Sequence, residues 1–421
     1  MIDAPQLRIR EIELYERPVQ LRLPFRFGVV TLRHCPQAFV RARIETSDGK
    51  SAWGAAAEMM APKWFDKNLE LTNEQNFEQL REALRIARAL YVSDSHPATA
   101  FGHFARHYDE QLKQGAARGF NPLLANYGPA LVDRAVLDAL CRLRNVSFYD
   151  GMRHNLAGIG ENCHAFKGIN FDAFLDSRKP AGSIEARHTV GMVDAITAAD
   201  LAERVNDGLP ETLEEVIATW GHRYFKLKVG GNLQADVARL EKIAEVLDRL
   251  PHRYYVSLDG NEQYADAAGV TELTDAIRSR ATLHRLWESI LFIEQPIARK
   301  VALDVDIRRA DLGKPVIIDE SDGELDTFVR AKERGYAGVS SKTCKGLYKS
   351  VLNAARCKAW GAGYFMSAED LTTQAGLAVQ QDIALVNLLG ITHVERNGHY
   401  YVNGLAAQPE SEQQAFLGTH S

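Results

Sequence analysis

The chain lacks any apolar run of about 18 residues, the length a membrane-spanning helix requires. It also lacks a basic excess: 50 lysines and arginines face 55 aspartates and glutamates, for a formal net charge of −5. That balance excludes the electrostatic footprint of a nucleic-acid binder. No basic amphipathic segment suits a membrane surface. Cysteine is scarce, with five residues (Cys35, Cys141, Cys163, Cys344, Cys357) at wide, irregular spacing, which fits neither a disulfide framework nor a zinc pattern. The opening Met-Ile-Asp-Ala-Pro-Gln has neither the charged nor the apolar region of a signal peptide. No repeat of 20–50 residues is visible by identity. These absences lead us to expect a cytoplasmic protein with reduced thiols and no nucleic-acid or membrane partner. What is present, 46% hydrophobic and 25% charged residues over 421 positions, is ordinary globular composition with room for about two or three domains.

Residues 7–58 read as an antiparallel meander, with strands expected at Leu7–Tyr15, Gln20–Phe27, Ala38–Thr46 and Ala52–Glu58. Ser47-Asp48-Gly49 supplies a hairpin turn, because Asp-Gly tolerates the positive φ such turns need. The stretch Phe25–Thr31 is expected to be a mobile loop between strands. Apolar spacing predicts helices over 73–92, 97–116 and 130–143. We therefore assign 1–150 to an α+β domain and the Gly-rich, aperiodic 151–185 to a connection.

From about residue 186 short β-branched strands alternate with helices. Strands are expected at His188–Val193, Tyr224–Lys228, Tyr255–Asp259, Leu291–Glu294, Val316–Asp319, Gly338–Lys342 and Tyr364–Ser367, with a weaker one at Ile391–Val394. Val237, Leu240, Ile243 and Leu247 mark one intervening amphipathic helix. Eight such strands favour a parallel barrel over 186–396. The tail, 397–421, is expected to return to the first domain.

Charge sits at the strand ends. Tyr-Phe-Lys-Leu-Lys-Val-Gly-Gly (224–231) puts Lys226 and Lys228 on one face and Phe225, Leu227 and Val229 on the other. Later strands close on Asp259, Glu294, Asp319 and Lys342, and from Lys228 onward these charges recur every 23 to 35 residues, one strand–helix unit at a time. Such positions form the C-terminal mouth of a parallel barrel, where active sites lie. If the charged ends point inward, so do Ser257, Phe292, Ile317 and Ser340. The outward set is then Leu258, Ile293, Ile318 and Ser341, mostly aliphatic, as packing against helices demands.

Three converging carboxylates repel one another, and a hard cation relieves that repulsion through oxygen-only ligation. Mg²⁺ is the expected ion, and Mn²⁺ satisfies the same rule. Counting Asp259, Glu294, Asp319, three lysines and the ion gives a formal charge of +2, which suits a small-molecule carboxylate substrate. The ion would act as a Lewis acid on the carboxylate while the α-proton leaves and an enediolate forms. Lys226 and the ion should lower the pKa of Lys228, making it a base. Lys228 and Lys342 come from the second and sixth of eight strands and so face each other across the barrel.

At these residues the chain resembles the enolase superfamily, in its mandelate racemase/muconate-lactonizing-enzyme branch. Lys226-x-Lys228, Asp259-x-Asn261, Glu294-Gln-Pro, Asp319-Glu-Ser and Lys342-x-x-Lys345-Gly occur in the family's order over roughly 186–370, and Leu137-Asp138-Ala139-Leu140 resembles its helix leading into the barrel. The resemblance implies an α/β fold, a modified TIM barrel (β/α)₇β with an α+β capping domain built from both chain ends. It implies Mg²⁺ on Asp259, Glu294 and Asp319, and a Lys228/Lys342 acid–base pair. The chain departs from the family in its expanded 60–125 and 150–185, in Ser340-Ser341 before Lys342, and in the missing second glycine after Gly346.

Several residues compete. Asp319 closes the aliphatic run and is preferred to Glu320, which becomes an outer partner together with Asn261. Lys342 is preferred to Lys345, which lies beyond its strand. Glu369-Asp370 either binds a cationic substrate group or caps a helix over 371–389, the cap being favoured. Arg26 could pair with a substrate anion, although a surface arginine is the commoner case. His393 has no acidic orienter and reads as structural. The expected reaction is racemisation, epimerisation or another isomerisation through loss of the α-proton. The alternatives are β-elimination by an acid-sugar or hydroxy-acid dehydratase, a class I aldolase using a lysine Schiff base, and a barrel that only binds. The sequence leaves the substrate, the stereochemistry and the oligomeric state open, a homo-oligomer included.

Overall fold

The computed structural model describes residues 4–420; Met1, Ile2 and Asp3, where the reading of the amino-terminus begins, lie outside them. A three-stranded antiparallel sheet, β1 (Leu7–Phe27), β2 (Val30–Thr46) and β3 (Ser51–Met59), forms the cap. The two strands expected over 7–27 are one, because bulges at Ile9/Glu11 and Gln20/Phe25 bend the ladder without ending it. Phe25–Thr31 is therefore not a loop: Phe27 pairs with Val30 across a tight turn, with Gly28 at φ 48°. The expected turn at 47–49 joins β2 to β3, and Gly49 takes φ 80°.

Of helices Asn73–Ser93, Ala100–Ala116 and Tyr127–Arg144, the first and third pack on this sheet and the second packs on both of them. Thr72 and Gln75 make a reciprocal capping box at the first helix. Gly54 lets β3 press onto the third: a Cβ there would meet the Ala139 amide nitrogen at 2.1 Å. The connection 151–185 is less irregular than its composition suggests. Phe166, Phe171 and Leu175 are buried in the cap core, and Phe171–Asp176 is helical.

Eight parallel strands follow: β4 (Glu185–Val190), β5 (Tyr224–Lys228), β6 (Tyr255–Asp259), β7 (Ile290–Glu294), β8 (Val316–Ile318), β9 (Gly338–Ser341), β10 (Phe365–Ala368) and β11 (His393–Glu395). Their lateral order is β10-β9-β8-β7-β6-β5-β4-β11, and β10 lies against β11, so the sheet rolls into a barrel. β4 ends three residues earlier than expected, because the Gly191 amide turns back to donate to Asp194 Oδ2 at 2.7 Å. The helix expected over 371–389 begins at Leu377, so neither Glu369 nor Asp370 caps it.

The alternation rule describes the packing well. Leu227, Leu258, Ile293 and Ile318 belong to the core between barrel and helices, whereas Phe292 and Ile317 point to the barrel axis and are absent from that core. After β11 the chain returns to the cap sheet: Arg22 donates to the Tyr400 carbonyl at 2.9 Å, and Tyr401 packs on Phe25 with ring centres 4.4 Å apart. A buried clamp also joins cap to barrel, with Glu58 of β3 accepting from Arg134 at 3.2 Å and from the Thr343 hydroxyl at 2.8 Å. No described helix is long and apolar enough to cross a membrane.

Candidate active site

Every barrel strand from β5 to β11 ends on or next to an inward charge. In order these are Lys228, Asp259, Glu294, Asp319, Lys342, Glu369 and Glu395, with Lys226 one inward step below Lys228. Register enforces the convergence: Lys228 pairs with Asp259, and Asp259 with Glu294, so neighbouring strands deliver their end charges at one level.

Lys226 is the hub. Its Nζ lies 2.9 Å from Asp259, 2.9 Å from Glu294, 2.6 Å from Glu369 and 3.0 Å from Glu395, and its side chain is 1% exposed. Burial disfavours its charge, but the four carboxylates outweigh burial and hold its pKa well above the ordinary lysine value. Lys226 thus differs from the bare repelling neighbour expected beside Lys228, since its charge is absorbed by four anions. Lys228 contacts Asp259 at 2.5 Å. Lys342 contacts Asp319 at 2.5 Å and Glu369 at 2.7 Å, and sits 4.5 Å from the Trp64 ring centre. Its ammonium too is buried, and its pKa is raised well above normal because Asp319 and Glu369 outweigh that burial.

The carboxylates divide into two kinds. Asp259 is buried, yet Lys226 and Lys228 bring its pKa down to about 2, and it also accepts from the Asn261 amide at 2.8 Å. Glu294 goes the other way: burial, and then the neighbouring Glu369, push it well above the carboxylate range. Neither Glu294 oxygen has a hydrogen-bond partner with good geometry. One oxygen each of Glu294, Asp319 and Glu369 lie within 4.8 Å of one another, all buried. Such a group needs a shared proton or a cation, and oxygen-only donors in this number fit a hard divalent ion. Five carboxylates here meet five cations once Arg187, 3.5 Å from Glu369, and Lys345, 2.8 Å from Asp319, are counted. The cluster is formally neutral, and one divalent ion would make it +2, the sign expected from the shorter count.

The outer residues fall where their chemistry suggests. Asn261 Nδ2 donates to Glu320 at 3.0 Å. Burial, with Asp319 next, pushes the Glu320 pKa up to about 7. Lys345 donates to the Asp319 and Ser340 carbonyls at 2.8 and 2.7 Å, a structural task that leaves Lys342 facing the cavity. His393 Nδ1 lies 2.7 Å from Arg187 on the barrel floor, away from the mouth. Arg26 is a correction: it is exposed and outside the cavity, while Phe25 and Phe27 on either side of it line the cavity wall. Glu369 is a second correction, being a fully buried partner of two lysines rather than a cap.

Sequence reasoning missed Glu395 and Trp64. Glu395 ends the weakest strand and obeys the same strand-end rule as Asp259, so the rule could have found it. Trp64 arrives from the cap, after β3, and no local pattern ties it to Lys342. With Phe25, Phe27 and Leu32 it gives the cavity an apolar roof over a charged floor.

The family described as "Enolase C-terminal domain-like" matches residues 208–411, which hold all seven strand-end charges. The matched barrel region belongs to the enolase superfamily, in its mandelate racemase/muconate-lactonizing branch. It is 30% identical over 151 residues to an N-succinyl-L-Arg/Lys racemase of Bacillus cereus, a stretch covering 34% of this chain and 37% of that enzyme. A dipeptide epimerase of Enterococcus faecalis, solved with Mg and the dipeptide L-Leu-L-Tyr, superposes with a TM-score of 0.63 at 14% identity, covering 94% of this chain and 92% of that one. A mandelate racemase/muconate lactonizing protein of Herpetosiphon aurantiacus gives 0.61 at 18% identity, covering 92% and 88%. At those identities the two likenesses are of fold, and they describe a barrel with its cap.

Proposed function

We propose that this enzyme is a cation-dependent racemase or epimerase that removes and returns the proton α to a carboxylate. The observation that carries this is the placement of Lys228 and Lys342 on β5 and just beyond β9, four strands apart in an eight-stranded barrel, both lining one cavity. Groups so placed address opposite faces of one carbon. The racemase and epimerase relatives support the same reaction type and point to an amino-acid derivative, an N-acylated amino acid or a dipeptide, as substrate class.

Glu294 and Asp319 would hold the divalent cation together with Asp259, and Glu369 lies close enough to compete for the third place. When bound, that cation supplies positive charge against the substrate carboxylate, which makes the α-proton more acidic. The chain's own residues do the rest. On one face Lys228 Nζ, as free amine, takes the proton, and the C–H electron pair passes into the carboxylate. On the other face Lys342, held as an ammonium by Asp319 and Glu369, returns a proton to the same carbon. The opposite enantiomer uses the pair in reverse. Lys226 keeps Asp259, Glu294, Glu369 and Glu395 at one point, so the mouth does not have to reorganise. The roof of Phe25, Phe27 and Trp64 excludes water and faces the apolar part of the substrate.

A panel of N-acyl amino acids and dipeptides in D₂O with Mg²⁺, followed by NMR, tests the proposal. We expect α-deuterium uptake from either enantiomer, lost on chelation. Lys228→Ala and Lys342→Ala should each stop exchange from one enantiomer. Exchange that survives both substitutions together would exclude these lysines as the acid–base pair.

A further inference from the structure

Three histidines meet outside the barrel, at a place the α-proton chemistry does not use. His188 lies on β4 between Arg187 and Thr189, whose side chains reach inward to Ser367 and Glu395, so alternation turns His188 to the outer wall. His222 precedes β5. His399 comes from the short helix Gly398–Tyr401 in the carboxyl-terminal return.

The ring centres form a nearly equilateral triangle: 5.4 Å from His188 to His222, 5.6 Å from His188 to His399, and 5.3 Å from His222 to His399. A metal–nitrogen bond of about 2.1 Å, plus about 1.1 Å from nitrogen to ring centre, separates ring centres by about 5.2 Å at a tetrahedral angle. The triangle therefore has the size of a three-imidazole metal site. One nitrogen of each ring already lies within 4.8 Å of the other two, and turning the rings in place brings them towards the ~3.4 Å of a tetrahedral set.

The hydrogen bonding points the same way. His188 Nδ1, His222 Nε2 and His399 Nε2 are buried without a partner, an expensive state for three polar atoms in one cluster. His222 Nδ1 lies 3.2 Å from the Ala186 carbonyl and donates to it, which leaves Nε2 with its lone pair, the usual arrangement behind a metal-bound histidine. Burial lowers the pKa of all three rings and so favours the neutral imidazole, which keeps one nitrogen lone pair for a ligand. His222 and His399 are only partly buried, which leaves an approach for the ion and a fourth ligand.

We propose that His188, His222 and His399 form a second metal site, specific for Zn²⁺ or a similar transition cation, that ties the carboxyl-terminal return to the barrel wall. All-nitrogen donors select such ions over Mg²⁺, which the carboxylates of the mouth favour. The tie has a consequence for the active site. His399 adjoins Tyr400 and Tyr401, which hold Arg22 and Phe25 of the hairpin, and lies two residues from Asn397 on the cavity wall. An ion there would anchor that wall.

Metal-stripped full-length protein, titrated with Co²⁺ in excess Mg²⁺, tests this independently of catalysis. We expect one equivalent to give the intense visible absorption of four-coordinate Co²⁺, displaced by Zn²⁺ but not by Mg²⁺. His222→Ala and His399→Ala should each weaken Co²⁺ binding by more than about tenfold, and Glu294→Gln should leave it unchanged. Zn²⁺ should raise the melting temperature of the parent and not of the histidine variants. Should a variant fail to fold, X-ray absorption of the Zn²⁺-loaded parent decides: a shell with three imidazoles supports the site, and an all-oxygen shell overturns it. Absence of the Co²⁺ band, or its loss in Glu294→Gln alone, would equally overturn it.

Discussion

Arg41–Glu13 and Arg43–Glu11 bridge β1 and β2 in open solvent at 2.8 and 3.3 Å, while Lys226–Glu369 and Lys342–Glu369 join charges inside the barrel at 2.6 and 2.7 Å. The distances are similar, but the surroundings are opposite. The cap pairs are 30–46% exposed, so water screens them and each contributes little. The barrel charges are at most 5% exposed and have lost their hydration, a cost that pairing offsets only in part. A chain built for stability alone would fill that mouth with aliphatic side chains. The cap shows charge as a solvated surface; the mouth shows charge assembled against its own desolvation, the arrangement that the proposed cation and anionic substrate would use.

The comparison can be broken most forcefully at the lysines. Lys228→Ala or Lys342→Ala should reduce α-deuterium exchange from the corresponding enantiomer by about 10²–10⁴-fold, measured by NMR. Loss of less than tenfold in both would mean the mouth's charges serve something other than proton transfer.

Next come two neighbouring carboxylates with opposite expected outcomes in urea unfolding. Asp319→Asn leaves Lys342 and Lys345 without their shared anion and should cost about 3–5 kcal/mol. Glu294→Gln should cost far less without added cation, because burial and Glu369 already favour the neutral carboxyl. It should, however, abolish the rise in stability that we expect Mg²⁺ to give the parent. Equal losses from both substitutions would remove the distinction between a carboxylate held ionised by lysines and one that burial keeps neutral.

A smaller effect concerns the clamp between cap and barrel. Burial raises the Glu58 pKa from 4.5 to about 7. Between those values the folded state binds a proton that the unfolded state does not, so the contribution of Glu58 is full below the lower value and is lost as pH rises through the upper one. Glu58→Gln should therefore flatten the fall in urea midpoint between about pH 5 and 8. An unchanged slope would show that Glu58 is ionised throughout. Smallest of all, Arg41→Ala in the exposed cap ladder should change stability by no more than about 1 kcal/mol, and added salt should erase even that. A larger loss would mean that the cap charges resemble the mouth more than their exposure suggests.

Much of the barrel could be read directly. Tyr224–Lys228 and Tyr255–Asp259 form where expected, and five other barrel strands fall within one or two residues of their expected ends. β-Branched runs closed by a charge and a turn are local signals. The cap was harder: bulges within β1 look like strand breaks in sequence, and only pairing with β2 shows a continuous ladder. Glu369 was misread because its neighbours favour a helix cap, whereas its partners, Lys226 and Lys342, are distant in the chain. Arg26 takes the surface position that is commoner for an arginine, because alternation along β1 turns it outward while Phe25 and Phe27 on either side face the cavity.

By itself the sequence determined the period of the strands, the charge at each strand end and therefore the ring of lysines and carboxylates at one barrel mouth. Those features follow from two-residue alternation and from the spacing of strand–helix units, which are properties of adjacent residues. Only the tertiary structure decided that Lys226 is shared among four carboxylates, that Trp64 roofs Lys342, and that His188, His222 and His399 close a triangle. Lys226 and Glu395 are 169 residues apart in the chain. Contacts of that range depend on how the sheet closes and where the last helices return, and no local pattern encodes either.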